Sequence, residues 1–254
     1  MNMEFLYAAN LLMLGRLFFI RQDAPISLKR MIIATVTQVF ALMALNLTPV
    51  WFVLIASQAI INPALYLLEK RCPCSSDGLR FSALLLSLLI FSILFSPPLT
   101  PGFNANLTPI AQQMSQYTLL FSSLDSVKLP HGMAILFGLL LLANEVNHLI
   151  RYLLGLFKLA PQEESKKNNP ADTLTLNRQE YNAGRLIGIL ERILIFFFVL
   201  ADQFTAIAFI IAAKGFARFK ELDQRQFAEY VLIGTLMSVV LAIISASLVK
   251  QLLG

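Results

Sequence analysis

Charge is what this chain has least of. Only 14% of its 254 residues are charged, against roughly a quarter in a soluble domain. Hydrophobic residues make up 57%, and the mean hydropathy is +0.69. That balance excludes a soluble globular domain. Cysteine is almost missing: Cys72 and Cys74, separated by Pro73, are the whole set. One intervening residue is a poor disulfide span, and a zinc site needs four ligands, so the pair reads as a plain loop. Histidine is as scarce, with only His131 and His148, too far apart along one helix to share a metal. Glycine-rich phosphate loops, dinucleotide fingerprints and activated-nucleophile motifs are lacking. No cofactor or metal is expected.

Apolar sequence fills the space these absences leave. Runs fall at about 3–20, 31–47, 49–68, 81–96, 133–157, 184–201, 204–219 and 227–249. They predict eight candidate membrane spans, several near the short limit of ~17 residues. The expected fold is all-α, a polytopic transmembrane helical bundle of about eight spans, five plus three. A five-span region covers 1–157 and holds a long outer loop, 96–132. A polar cytoplasmic linker follows at 158–183, and a three-span module at 184–254. The opening MNMEFLYAAN has an acidic Glu4 and no basic n-region, so it reads as a retained first span, not a signal peptide.

The few cations are distributed unevenly. With the N-terminus outside, 18 of the 20 Lys and Arg lie in cytoplasmic segments or toward that side of their spans, and only Lys128 and Lys250 are left outside. The positive-inside rule supports that orientation. The net charge of +5 and pI of 9.3 then express topology and contact with anionic lipid, not nucleic-acid binding. Within the outer loop, Ile110, Met114, Tyr117, Phe121 and Leu124 recur at helical spacing opposite Gln112, Gln113 and Gln116. They predict an amphipathic helix along the membrane interface. In the third span Asn62-Pro63 is expected to break and kink the helix, and Gln38, Gln58 and Asn62 to form a polar seam. The linker reads as a solvated tether, or as a docking segment for a cytoplasmic ligand or partner.

The charges that remain inside apolar runs are the candidate site. Glu191 lies 11 residues before Asp202, and Lys214 lies 11 after Gln203. Each is therefore ~16 Å from the hairpin turn, about half of a ~30 Å hydrocarbon core. Ionisable groups at that depth cost several kcal/mol unless paired. Glu145, in LLLLANEVNHLIRYL, is expected at similar depth, with His148 one turn on. The candidate layer is Glu145, His148, Glu191, Arg192, Lys214 and Arg218, with Glu229 opening the last span. Gly184 and Gly188 form a small-xxx-small face beside Glu191. Glu145 and His148, three residues apart, also suit an acid/base pair. A network that only holds helices in register accounts for the same residues.

Three blocks, NAGRLIGILER at 182–192, AIAFIIAAKGFARF at 206–219 and EYVLIGTLMS at 229–238, resemble the C-terminal signature of an uncharacterised prokaryotic family of multispan inner-membrane proteins. The resemblance covers about 70 residues, and no established activity comes with it. It implies Gly184, Gly188, Glu191, Arg192, Lys214, Arg218, Phe219, Glu229, Tyr230, Gly234, Thr235 and Ser238 as motif positions, and a multi-pass place in the inner membrane. Many members carry His, Asp-Phe and Gln in the first span. Here Asn10 or Leu12 stands at the His position, and Leu14 or Arg16 at the Asp position, which weakens a hydrolase reading. The expected function is a pore, channel or transporter, homo-oligomeric, or an effector gated by a ligand or partner. The alternatives are a membrane-embedded enzyme or assembly factor acting on lipid, or a non-catalytic scaffold.

Overall fold

The computed structural model describes residues 3–19, 26–71, 76–97, 99, 101–104, 128–157, 170–217 and 225–253, with only the backbone of 128, 170–183, 217 and 225–227. The amphipathic segment 110–124, Cys72, Cys74, the first part of the linker and Arg218 lie outside the described residues. Among those described there are helices and no strand; a single bridge joins Leu45 to Phe103.

The helices follow the apolar runs. They are α1 (Met3–Arg16), α2 (Leu28–Leu42), α3 (Pro49–Arg71), α4 (Ser76–Leu94), α5 (Lys128–Leu140), α6 (Val146–Leu156), α7 (Pro170–Leu200), α8 (Phe204–Ala217) and α9 (Arg225–Leu253). A π-helical turn, Leu141–Glu145, joins α5 to α6. Pro170 opens α7, where its missing N–H costs nothing and its fixed φ suits a helix. The second half of the polar linker is therefore helical and continues directly into the sixth apolar run. Among the described residues four stretches are long and apolar enough to cross a membrane: Pro49–Arg71, Ser76–Leu94, Leu129–Leu156 and Ala228–Leu253. Phe204–Phe216 is apolar but shorter.

The chain separates into two compact units, Met1–His148 with Leu253, and Leu149–Leu252 with Gly254. In the first, α1 packs against α2, α4 and α5, while α3 lies between α2 and α4. Leu12, Met13, Leu42, Trp51, Leu54, Leu84 and Phe91 build its core. At one end the connecting segments tie together: Asn46 N–H donates to Gly102 O at 2.9 Å, and Asn104 N–H to Ala44 O at 3.0 Å. The Trp51 indole donates to Leu42 O at 2.7 Å.

Polarity in this unit is inverted. On α2, Gln38 is 2% exposed while Phe40, two residues on, is 75% exposed. Gln58, Asn62, Glu69 and Arg80 are buried, whereas Phe52, Ile60, Leu86 and Leu89 face outward. A surface of large apolar side chains around a polar interior is the arrangement lipid demands. The expected seam is present in part: Asn62 Nδ2 donates to Gln38 Oε1 at 2.8 Å and to Thr35 Oγ1 at 3.0 Å, whereas Gln58 donates to its neighbour Ser57 Oγ at 3.4 Å and its Oε1 has no partner. The expected break at Pro63 is not, since α3 runs unbroken through it. Neighbouring helices and side-chain donors make a single lost backbone bond tolerable in such a helix.

In the second unit α7 and α8 form a hairpin across Ala201–Gln203. Asp202 sits at φ 57°, a left-handed conformation that Asp tolerates better than bulky residues do. Its buried apolar side chains include Ile195, Phe196, Val199, Ile207, Val239, Ala242 and Ala246.

Candidate functional site: two sets of buried charges

The first unit gathers its buried charges at one end. Arg16 closes α1, Glu69 ends α3, Arg80 lies in the first turns of α4, and Glu145 ends the π turn. All four are buried. Arg16 grips Glu145 through one edge of its guanidinium, Nε to Oε1 at 2.6 Å and Nη2 to Oε2 at 3.1 Å. The same Nη2 donates to Arg80 O at 2.7 Å. Arg80 grips Glu69 in the same way, Nε to Oε1 at 2.7 Å and Nη2 to Oε2 at 3.4 Å. Ile26 N–H completes Glu69 at 2.8 Å, and Asn144 Nδ2 donates to Glu145 Oε1 at 2.7 Å. Two cations meet two carboxylates, so the cluster is neutral and its forks are closed. Bidentate geometry with filled lone pairs is what lets buried charges offset their desolvation.

The π turn explains how Asn144 and Glu145 act together. Consecutive residues on an α-helix point about 100° apart, yet both are buried, 2% and 1% exposed, and bonded to each other. One extra residue in the turn brings both inward, and such turns recur at functional positions. Just beyond, His148 Nδ1 lies 2.6 Å from Asp77 Oδ1.

The second unit holds its charges differently. Glu191 on α7 and Lys214 on α8 form the expected ion pair across the hairpin. Their side chains remain 17% and 19% exposed. Arg192, next in sequence, is 3% exposed; its Nη1 donates to Ser238 Oγ on α9 at 3.3 Å, while Nε and Nη2 have no hydrogen-bond partner. Lys250, near the end of α9, pairs with Asp202 at the turn, 45% and 64% exposed. A cleft of about 350 Å³ lies there, lined by Val199, Asp202, Phe204, Ser247, Lys250 and Gln251.

Of the sequence-predicted residues, Glu191 and Lys214 come together, and Arg192 joins α7 to α9. Glu145 spends its carboxylate on Arg16 and Asn144, and His148 on Asp77, within the first unit. Glu229 is exposed near the start of α9. A Cβ on Gly188 would meet only Arg192 Nη1, at 3.8 Å, so no other helix of the described chain closes on that position. At Gly234 a Cβ would touch Leu154 Cδ1 at 3.9 Å. Gly184 is half-buried.

Sequence reasoning missed Arg16, Glu69, Arg80 and Asp77 as partners. A signal existed: with alternating helix directions, the end of α1, the end of α3 and the start of α4 all fall on one side. Opposite charges there become neighbours. Among the described residues no three His, Cys, Asp or Glu side chains cluster as metal ligands would. No protein-family model matches the chain, and no curated protein and no solved structure matches it either.

Proposed function

We propose that this chain is a pore- or transporter-type protein of a prokaryotic inner membrane, working as a homo-oligomer through the layer built on Glu191 and Lys214. One observation carries the reading. The pair stays about one-fifth accessible on apolar helices, with Leu190, Leu194, Phe209 and Phe216 exposed around it. Acyl chains are a poor environment for accessible charges, at roughly 2.5–3.5 kcal/mol per charge near the centre of a span. A water-filled path, or a second copy presenting polar groups, removes that cost.

The topology that goes with this reading has eight crossings and both termini outside. The basic clusters support it, and so does the Lys250–Asp202 pair, which links the α7–α8 turn to the last turns of α9 as three antiparallel crossings require. The C-terminal signature includes Glu191, Lys214 and Arg192, in keeping with a role for the same layer. The linker 158–183 is the natural place for a cytoplasmic ligand or partner to act.

Ion flux from liposomes tests the proposal, comparing the wild type with Glu191→Gln and Lys214→Met. Flux that both substitutions abolish is expected. Folded, reconstituted wild type that passes no ion, or flux that neither substitution alters, sinks it.

A lipid-acting enzyme is the second reading, favoured by the His148–Asp77 contact, which resembles the carboxylate-oriented imidazole of acid/base sites. Glu145, locked to Arg16, is a poor partner for such chemistry. Lipid turnover that disappears in His148→Ala would support this reading.

A further inference from the structure

Among the described residues Arg16, Arg80 and Arg192 are buried, and they form an internal comparison. Arg16 uses its Nε/Nη2 edge to hold both oxygens of Glu145. Arg80 uses the same edge to hold both oxygens of Glu69. Arg192 is as buried as they are, at 3% exposed, yet the same two donors, Nε and Nη2, have no partner. Its remaining nitrogen, Nη1, is held by Ser238 Oγ, which fixes the guanidinium from the far side. The open edge is a planar fork whose spacing matches two oxygens of one anion. A buried, unpaired guanidinium is costly, and an oxyanion in its fork removes that cost.

Charge points the same way. Lys214 and Glu191 cancel, which leaves Arg192 as a net positive charge beside them. At Gly188, one turn away on α7, an added Cβ would meet only Nη1, at 3.8 Å.

We propose that the Nε/Nη2 edge of Arg192, positioned by Ser238, is a binding site for a phosphate-type oxyanion. That chemistry has two sources, free phosphate and the headgroup of an anionic phospholipid. The site belongs to the charged layer assigned to the pore, and so rests on that assignment, but binding does not require flux. Both donors are covered by protein, so binding includes a local rearrangement that lowers the apparent affinity by the fraction of open molecules.

The test is binding to the full chain in nonionic detergent. Labelled inorganic phosphate at constant ionic strength, set with chloride, forms one arm. Retention of phosphatidylglycerol against phosphatidylcholine, read by native mass spectrometry, forms the other. One saturable site per chain is expected in at least one arm, and the arm that saturates names the source. Arg192→Lys keeps the charge but loses the fork, and affinity is expected to fall about tenfold or more. Ser238→Ala preserves packing and frees Nη1; a fall of about two- to tenfold is expected. No saturable binding in either arm overturns the proposal. Full affinity in both variants overturns it equally, and if Arg192→Lys does not fold, full affinity in Ser238→Ala overturns it alone. Flux without binding leaves the pore standing and removes this site; binding without flux does the reverse.

Discussion

The two units solve the problem of charge in an apolar protein in opposite ways. The first closes both forks: Arg16 on Glu145 and Arg80 on Glu69, with Asn144 and Ile26 N–H each adding a third hydrogen bond to a carboxylate. The second leaves its charges accessible or unfilled, in the Glu191–Lys214 pair and the open edge of Arg192. Closed networks at helix ends fix which helices meet and in what register. Open ones keep binding capacity, and in a membrane protein that capacity is the more informative feature.

The sharpest way to break this contrast is to remove one member from each set. Glu145→Leu leaves Arg16 buried without a carboxylate, and a loss of about 3–5 kcal/mol is expected. Adding Arg16→Leu in the same chain should recover most of that loss, because no charge is then left unpaired. Glu191→Leu, in the more accessible pair, should cost about 1 kcal/mol or less while changing flux, because the water path proposed for that layer solvates the Lys214 left behind. Thermal or denaturant unfolding in detergent reads all of these. Equal losses at Glu145 and Glu191 would show that the second set is as structural as the first.

Two glycines give a smaller and independent comparison. A Cβ on Gly15 would lie 2.6 Å from Gln38 Cγ and 2.6 Å from its Nε2. Gln38 has little room to yield, since it donates to Leu12 O and accepts from Asn62. Gly15→Ala should therefore destabilise by about 1–3 kcal/mol through overpacking. Gly188→Ala meets only Arg192 Nη1 at 3.8 Å, an ordinary contact. It should be neutral, or gain up to about 1 kcal/mol from helix propensity. If Gly188→Ala instead lowers Tm while leaving secondary structure intact, a second copy occupies that face, as the homo-oligomer requires.

The helices themselves were legible because lipid-compatible runs are long and the breaks between them carry charge or proline. The Glu191–Lys214 pair was legible for a similar reason: a tight hairpin converts equal distances from its turn into equal depth. The closed network was not. Arg16 and Glu145 are 129 residues apart, and only the packing of α1 against α5 and the π turn after it unites them. A π turn shifts side chains by one residue, and apolar periodicity in an almost uniformly apolar helix has no power to reveal it. Pro63 misled for the opposite reason, since a local rule about backbone donors was overridden by the helices around it.

The smallest expected effect lies at the exposed end of the second unit and separates charge from backbone geometry. Lys250 and Asp202 pair across the α7–α8 turn and the last turns of α9. Both are open to solvent, and exposed pairs contribute about 0–1 kcal/mol. Lys250→Ala should therefore shift stability by no more than ~0.5 kcal/mol. Asp202 has a second duty, because its φ of 57° is left-handed. Asp202→Asn removes the charge but keeps a side chain that tolerates this conformation, and should match Lys250→Ala. Asp202→Val keeps neither, and should cost about 1–2 kcal/mol, the penalty of forcing a Cβ-bearing residue into that region. If Asn and Val behave alike, the turn is held by its charge and not by its backbone. If Lys250→Ala proves as costly as Asp202→Val, the pair is shielded from water, and the second unit is closed at this end as the first is at Arg16–Glu145 and Arg80–Glu69.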